Sequence, residues 1–129
     1  MSLESAPILA FVATANAEAA RAFYEGVLGL RFVAEEPGVA LVFSVGDRDT
    51  LRVSVLPEHT PPPHSVLGWK VDDIEQALTA LSARGVVFEF FEMLEQDDDG
   101  ICTFPNGDRV AWFLDPAGNM LSITEAGPT

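Results

Sequence analysis

The sequence predicts an α+β fold built from two tandem βαβββ modules. Three observations carry this prediction. Apolar runs of strand length and amphipathic helical stretches come in the same order twice, a proline-rich stretch separates the two series, and each helix opens on Asn or Asp and closes on Gly. The 129 residues are read as a single domain of two modules, 7–56 and 65–125, joined by the linker 57–64.

Pro7–Ala13 (PILAFVA) is a short apolar run of strand length. Asn16 is a helix N-cap for Ala17–Leu28, where Ala20, Phe23, Tyr24, Val27 and Leu28 recur at helical spacing, and Gly29 stands at the C′ position. Three strands follow, Arg31–Glu35, Val39–Val45 and Thr50–Leu56, broken by Pro37-Gly38 and by Gly46-Asp47-Arg48-Asp49. Pro57–His64 (PEHTPPPH) fits neither a central strand nor a helix interior, because proline lacks the N–H that both require.

After the linker the order begins again. Ser65–Val71 is a strand, and Asp72-Asp73-Ile74-Glu75 opens a helix in the manner of a capping box. Ile74, Ala77, Leu78 and Leu81 form one stripe, and Gly85 ends the helix. Val86–Phe91 reads as the next strand, the acidic stretch Glu92–Asp99 leads to Ile101–Phe104, and Arg109–Leu114 follows the turn Pro105-Asn106-Gly107. Asp115-Pro116-Ala117-Gly118 is a turn, and Asn119–Thr124 closes the series. A shift of 57 residues superposes Asn16 on Asp73 and Glu18 on Glu75, as a duplicated architecture requires.

Composition excludes several functions. Twenty acidic against seven basic residues leave a net charge of −13, and the pI is near 4.2. That argues against nucleic-acid partners, which draw on clustered Lys and Arg. No apolar run approaches the ~20 residues that cross a bilayer, and Met1-Ser2-Leu3-Glu4 does not open a secretion signal, so no membrane association is expected. The single Cys102 makes no internal disulfide, which points to the cytoplasm. Gly-rich phosphate loops, GxSxG and Cys-x-x-Cys are all missing.

Phe23-Tyr24-Glu25-Gly26-Val27-Leu28-Gly29-Leu30 resembles the FYxxxLGL segment of the glyoxalase / bleomycin-resistance / extradiol dioxygenase superfamily, the vicinal oxygen chelate proteins. Trp112-Phe113-Leu114-Asp115-Pro116-Ala117-Gly118-Asn119-Met120-Leu121 is similar to its second signature, an aromatic strand, DPxGN and a hydrophobic strand. Val71-Asp72-Asp73-Ile74 resembles the opening of its second helix. The resemblance runs from about Pro7 to Glu125. It implies two βαβββ modules whose mixed sheets form a curved, cup-like surface with helices outside, a ligand site in the cup, and a homodimer.

In metal-using relatives, ligands come from the first strand of each module and from the strands that close the modules. Aligned on Asn16, Asp73 and Asp115, those places here read Leu9, Val66, Ser122, and Arg52 or Ser54. Shifting the register by one brings Ile8, Ala10, Ser65, Leu67, Leu121 or Ile123, none of which is a useful donor. No metal and no cofactor is expected. The only histidines, His59 and His64, lie in the linker, where they either pack locally or join Glu58 or Glu125 in a displaced site.

Other chemistry is sparse. Cys102 has no histidine near it in sequence and reads as a buried thiol. Glu95-Gln96-Asp97-Asp98-Asp99 is a solvated loop, or a gate that attracts a cation. Strand alternation sets Leu9, Phe11, Val66 and Gly68 on one face and Ile8, Ala10, Val12, Leu67 and Trp69 on the other, with Trp69 under the helices. In Arg109–Leu114, Trp112 and Phe113 compete for the inward face. Arg52, between Leu51 and Val53, must face water or an anionic group, at an exposed edge or in the cup.

The resulting expectation is a metal-free protein holding a small organic molecule in a hydrophobic cup lined by Leu9, Phe11, Arg52, Ser54, Val66, Trp112 and Ser122. Burying ~200 Å² of apolar ligand surface supplies roughly 5 kcal/mol before entropy losses. No catalytic residue is assigned. The competing readings are a metal-dependent lyase, isomerase or dioxygenase of the same fold, and a structural dimer whose cup its own side chains fill.

Overall fold

The computed structural model describes residues 1–128 and divides into two compact units, which meet between Thr60 and Pro61, inside the proline-rich stretch. The first unit contains β1 (Leu9–Thr14), α1 (Ala17–Arg21), β2 (Arg31–Glu36), β3 (Ala40–Val45) and β4 (Asp49–Val55). Its sheet has the order β1-β4-β3-β2, with β1 parallel to β4 and the other pairs antiparallel. The second unit contains β5 (Ser65–Lys70), α2 (Ile74–Ala83), β6 (Cys102–Thr103), β7 (Arg109–Leu114) and β8 (Met120–Glu125). Its sheet repeats the pattern as β5-β8-β7-β6, again with the first pair parallel. The two tandem βαβββ modules are therefore present, as two four-stranded mixed sheets.

Both helices start where the sequence places them. The Asn16 carboxamide oxygen accepts from the Ala19 N–H at 3.0 Å, and the Asp73 carboxylate accepts from the Gln76 N–H at 3.1 Å. The two caps share an extended backbone, φ −136° and −137°. Each satisfies one of the free N–H groups of a first turn. Gly29 and Gly85, at φ +76° and +95°, end the helices in the left-handed region. The first helix widens after Arg21 into a π-helical stretch, Ala22–Val27, and the Leu28 N–H donates to the Phe23 carbonyl at 2.9 Å. Tyr24, in that stretch, is fully buried.

The core of each unit lies between its helix and one face of its sheet. In the first it is built on Leu41, Phe43, Leu51 and Val53, and in the second on Ala111, Phe113, Leu121 and Ile123. The registers Phe43↔Leu51 and Phe113↔Leu121 put these residues at matching places. Fully burying each large apolar side chain contributes roughly 1.5–3 kcal/mol. Phe113 thus belongs to the core face and Trp112 to the opposite one, which resolves their competition. Trp69, opposite Ile123, is on the core face and half-buried. Cys102 is a buried free thiol.

One predicted element is corrected. Residues 86–91 do not form a strand: Phe88 makes an isolated bridge to Phe113, and the Glu89 N–H donates to the Trp112 carbonyl at 2.8 Å. The cause is the side chain of Gln96. Its carboxamide accepts from the Phe91 N–H at 2.7 Å and donates to the carbonyls of Glu89 and Gly100 at 3.0 and 2.8 Å. Asp97 accepts from the N–H groups of Asp99 and Ile101, both at 2.9 Å. These bonds satisfy backbone groups that a strand would offer to a ladder, so 89–101 folds onto itself. The following strand shortens accordingly to Cys102–Thr103, inside the expected 101–104.

The turn at 115–118 is a built structure. The Asp115 carboxylate accepts from the backbone N–H groups of Ala117 and Asn119, both at 2.9 Å, and from the Asn119 side chain at 2.8 Å. Asp115 and Asn119 are buried. Gly118 has φ +85°, and a Cβ there would stand 3.1 Å from the Pro61 ring.

Candidate functional site

Each sheet buries one face and leaves the other without a helix. The registers fix which residues share that open face. In the first sheet its middle row is Phe11, Arg52 and Val42, flanked by the rows Leu9–Thr50–Ser44 and Ala13–Ser54–Ala40. In the second sheet the middle row is Gly68, Ser122 and Trp112. Leu9, Phe11, Arg52 and Ser54 therefore share one face, as do Trp112 and Ser122 in the other unit.

Val66 departs from expectation. Ser65 opposes Met120 and Leu67 opposes Leu121, so a bulge takes Val66 out of one-to-one pairing. The residue that reaches Ser122 is Ser65, whose hydroxyl donates to the Ser122 Oγ at 3.3 Å.

Arg52 meets an anionic group, the partly exposed carboxylate of Glu36 on the edge strand β2. The arginine lies on β4, between β1 and β3, and reaches diagonally over β3 to Glu36 at the end of β2. The pair is bidentate, Nη1 to Oε2 at 2.6 Å and Nη2 to Oε1 at 3.0 Å. The hydrogen bonds from Arg52 hold the Glu36 carboxyl below the usual carboxylate range, and Glu36 in turn raises the guanidinium further. Sequence reasoning singled out Arg52 but missed its partner. The signal was available, because the tight Glu36–Ala40 hairpin brings the end of β2 beside the strand that pairs with Arg52.

On the second sheet three rings meet. The Phe91 and Trp112 centroids lie 5.5 Å apart at 88°, and those of Phe104 and Trp112 lie 6.4 Å apart at 79°. Both are edge-to-face arrangements that aromatic quadrupoles favour. Phe91 and Phe104 escaped the sequence reading: Phe91 was assigned to a strand that the loop replaces, and Phe104 to the end of one that stops at Thr103. Beyond Ser122, a Cβ on Gly68 would stand 2.4 Å from the Ser122 Oγ and 3.1 Å from its carbonyl oxygen.

A metal does not fit the aligned positions. Leu9 and Val66 offer alkyl groups, the Ser122 hydroxyl is a neutral oxygen already bonded to Ser65, and Arg52 is itself a cation. A dication needs anionic or imidazole donors to replace its hydration, and a guanidinium at the site repels it. Among the described residues no group of three or more His, Cys, Asp or Glu is placed to hold a metal ion. His64 is turned to its own neighbourhood, its Nδ1 3.1 Å from the Ser65 carbonyl. A cleft of about 510 Å³ lies on the helix side of the first sheet, over Leu41 and between Glu18, Arg21 and Glu35. Its walls are charged, and Arg21 is already engaged by Glu25 at 3.1 Å and by the face of the Phe32 ring.

The order β-α-β-β-β, twice, with one helix-free face on each sheet, defines the structural class. Residues 8–123 match the family model of the Glyoxalase/Bleomycin resistance protein/Dioxygenase superfamily, and the chain belongs to that superfamily. No curated protein sequence matches it. Among solved structures it is similar to TnmS3, an antibiotic binding protein from Streptomyces sp. CB03234, at 25% identity and TM-score 0.73, over 98% of this chain and 100% of that one. It is also similar to a glyoxalase / bleomycin resistance protein from Catenulispora acidiphila, at 27% identity and TM-score 0.69, over 95% and 99% of the two chains. Lactoylglutathione lyase from Agrobacterium tumefaciens shares the fold at 24% identity and TM-score 0.72, over 94% and 93%. No helix among the described residues is long and apolar enough to cross a membrane.

Proposed function

We propose that this chain binds a small organic molecule on an open sheet face, without a divalent metal, as a cytoplasmic homodimer. One observation carries the reading. The places where metal-using relatives present donors hold Leu9, Val66, Ser122 and Arg52, and the guanidinium of Arg52 is locked to Glu36. Apolar and aromatic side chains sit around those places, with Leu9 and Phe11 more than half exposed. That is the lining a small apolar ligand uses, with a few polar groups to orient it. The antibiotic binding activity in the name of TnmS3 supports sequestration as the role. Exposed Leu9 and Phe11 on β1, an edge strand of its sheet, support the homodimer, because a partner copy covers such an edge.

Calorimetric titration with Zn2+, Ni2+, Mn2+ and Fe2+ tests the reading, together with turnover of the methylglyoxal–glutathione adduct. The expected result is no stoichiometric metal binding and no turnover. Stoichiometric uptake that survives replacing both His59 and His64 by Ala would restore a metal site on the strands and end the proposal. Uptake that disappears in that double variant would move the metal to the linker and end it equally.

A further inference from the structure

Trp112, Phe91 and Phe104 form a group that the core of the second unit does not use. The core face of β7 and β8 is supplied by Ala111, Phe113, Leu121 and Ile123, all buried. Trp112 is half-buried on the opposite face, walled by the two phenylalanine rings. From Trp112 the surface steps across β8 to the Ser122 hydroxyl, with Ser65 beside it, and ends at Gly68 on β5. The matching row of the first sheet carries a phenyl ring at the outer position and only Val42 at the inner one. In the second sheet the bulk is moved inward to Trp112 and the outer position is emptied. The result is a shelf with an aromatic wall, a hydroxyl floor and an open side.

We propose that this shelf binds a planar aromatic molecule that carries a hydrogen-bonding group and no negative charge. The proposal rests on the small-molecule reading above and names the class of ligand. The ring of the ligand packs against Trp112 between Phe91 and Phe104, and its polar group meets the paired hydroxyls of Ser65 and Ser122, which both donate and accept. Charge selects against anions. Gln96 holds Phe91 by its N–H at 2.7 Å, and that bond ties the rings to the stretch 92–99, which has five carboxylates and no basic residue. The whole chain carries −13, so the surrounding field repels an anionic ring and attracts a cationic one, which Trp112 also favours through its ring face. Gln96 is a positioning residue, since it sets Phe91 without lining the shelf.

The test uses the full chain at about 0.15 M salt, where exposed charges are screened beyond ~8 Å. Two probes are titrated calorimetrically: proflavine, a planar cation with two amino groups, and anthracene-9-carboxylate, a planar anion. Proflavine is expected to bind one per chain and to move the Trp112 indole N–H resonance while leaving that of Trp69 in place. The anion is expected to bind at least about tenfold more weakly. Trp112→Leu should weaken proflavine about tenfold, and Phe104→Ala, at a more exposed ring, about threefold, so that a folding defect in one variant leaves the other informative. Gly68→Ala, which forces the Ser122 hydroxyl aside, should weaken it as well. Unchanged affinity in both ring variants, equal binding of the two probes, or a loss confined to Arg52→Leu would overturn the inference while leaving a small-molecule binder. Conversion of a dimer to a monomer by Trp112→Leu would instead make the shelf a chain–chain interface and overturn it too. Stoichiometric metal uptake on the strands would end the reading on which it rests.

Discussion

The two units repeat each other on one face of their sheets and differ on the other. Toward the helices, Phe43 corresponds to Phe113, Leu51 to Leu121 and Val53 to Ile123, all buried. On the open side, Phe11 corresponds to Gly68, Arg52 to Ser122 and Val42 to Trp112; every pair differs in size, and Arg52/Ser122 in charge as well. The helix-facing side is held to one solution, because any change of volume there leaves a cavity or a clash. The open side carries no such restraint, so its residues are free to serve a ligand. Arg52 and Ser122 stand at matching register positions, one a cation and the other a neutral hydroxyl.

The comparison breaks first at the core. Phe43→Ala and Phe113→Ala should each cost about 3–5 kcal/mol in urea unfolding, and by similar amounts, as equivalent positions do. Trp112→Ala should cost clearly less than Phe113→Ala. Equal costs would make the open face a second core.

The turns come next. Asp115→Ala and Gly118→Val should each destabilise by about 1–2 kcal/mol, the first by freeing buried N–H groups, the second by strain at φ +85° against Pro61. The corresponding turn of the first unit, Gly46-Asp47-Arg48, is exposed, and Asp47→Ala should stay within about 0.5 kcal/mol. Unchanged urea midpoints for both Asp115→Ala and Gly118→Val would contradict the Asp115 network.

Caps sharpen the likeness. Asn16→Ala and Asp73→Ala should each cost about 1 kcal/mol, because each removes one accepted N–H bond of the same geometry. Unequal losses would show that the two helix starts are not equivalent.

The smallest effect lies where the units differ most. Glu36 is held below its ordinary value of 4.5 by the hydrogen bonds from Arg52, so its contribution is present above that pH and is lost as pH falls through the lowered value. Wild type and Glu36→Gln should therefore show a small difference in Tm near neutrality that closes in acid. The pair is exposed and salt-screened, so added salt should narrow the gap too. A gap independent of pH would contradict the pairing.

The elements with local causes were legible in the sequence. Asn16 and Asp73 cap, Gly29 and Gly85 terminate, and Asp115 turns the chain, each within a few residues of its effect. The error at 86–91 came from a different kind of cause. The apolar run Val86-Val87-Phe88 has the pattern of a strand, but Gln96, some residues further on, supplies the hydrogen bonds that a neighbouring strand would have supplied. The bulge at Val66 and the partnership of Arg52 with Glu36 are likewise set by register between strands, which alternation within one strand does not contain. The open-face residues Leu9, Phe11 and Ser122 could be named from the sequence, whereas the choice of Trp112 over Phe113 and the part of Ser65, Phe91 and Phe104 required the fold.

The claim that the open faces hold an organic molecule and no metal is tested most directly by diffraction from crystals soaked with proflavine and Zn2+ together, recorded above and below the zinc edge. The account predicts planar density against the Trp112 ring and no anomalous signal on the strands. A zinc peak beside Leu9, Ser122 or Arg52, with nothing stacked on Trp112, would contradict it.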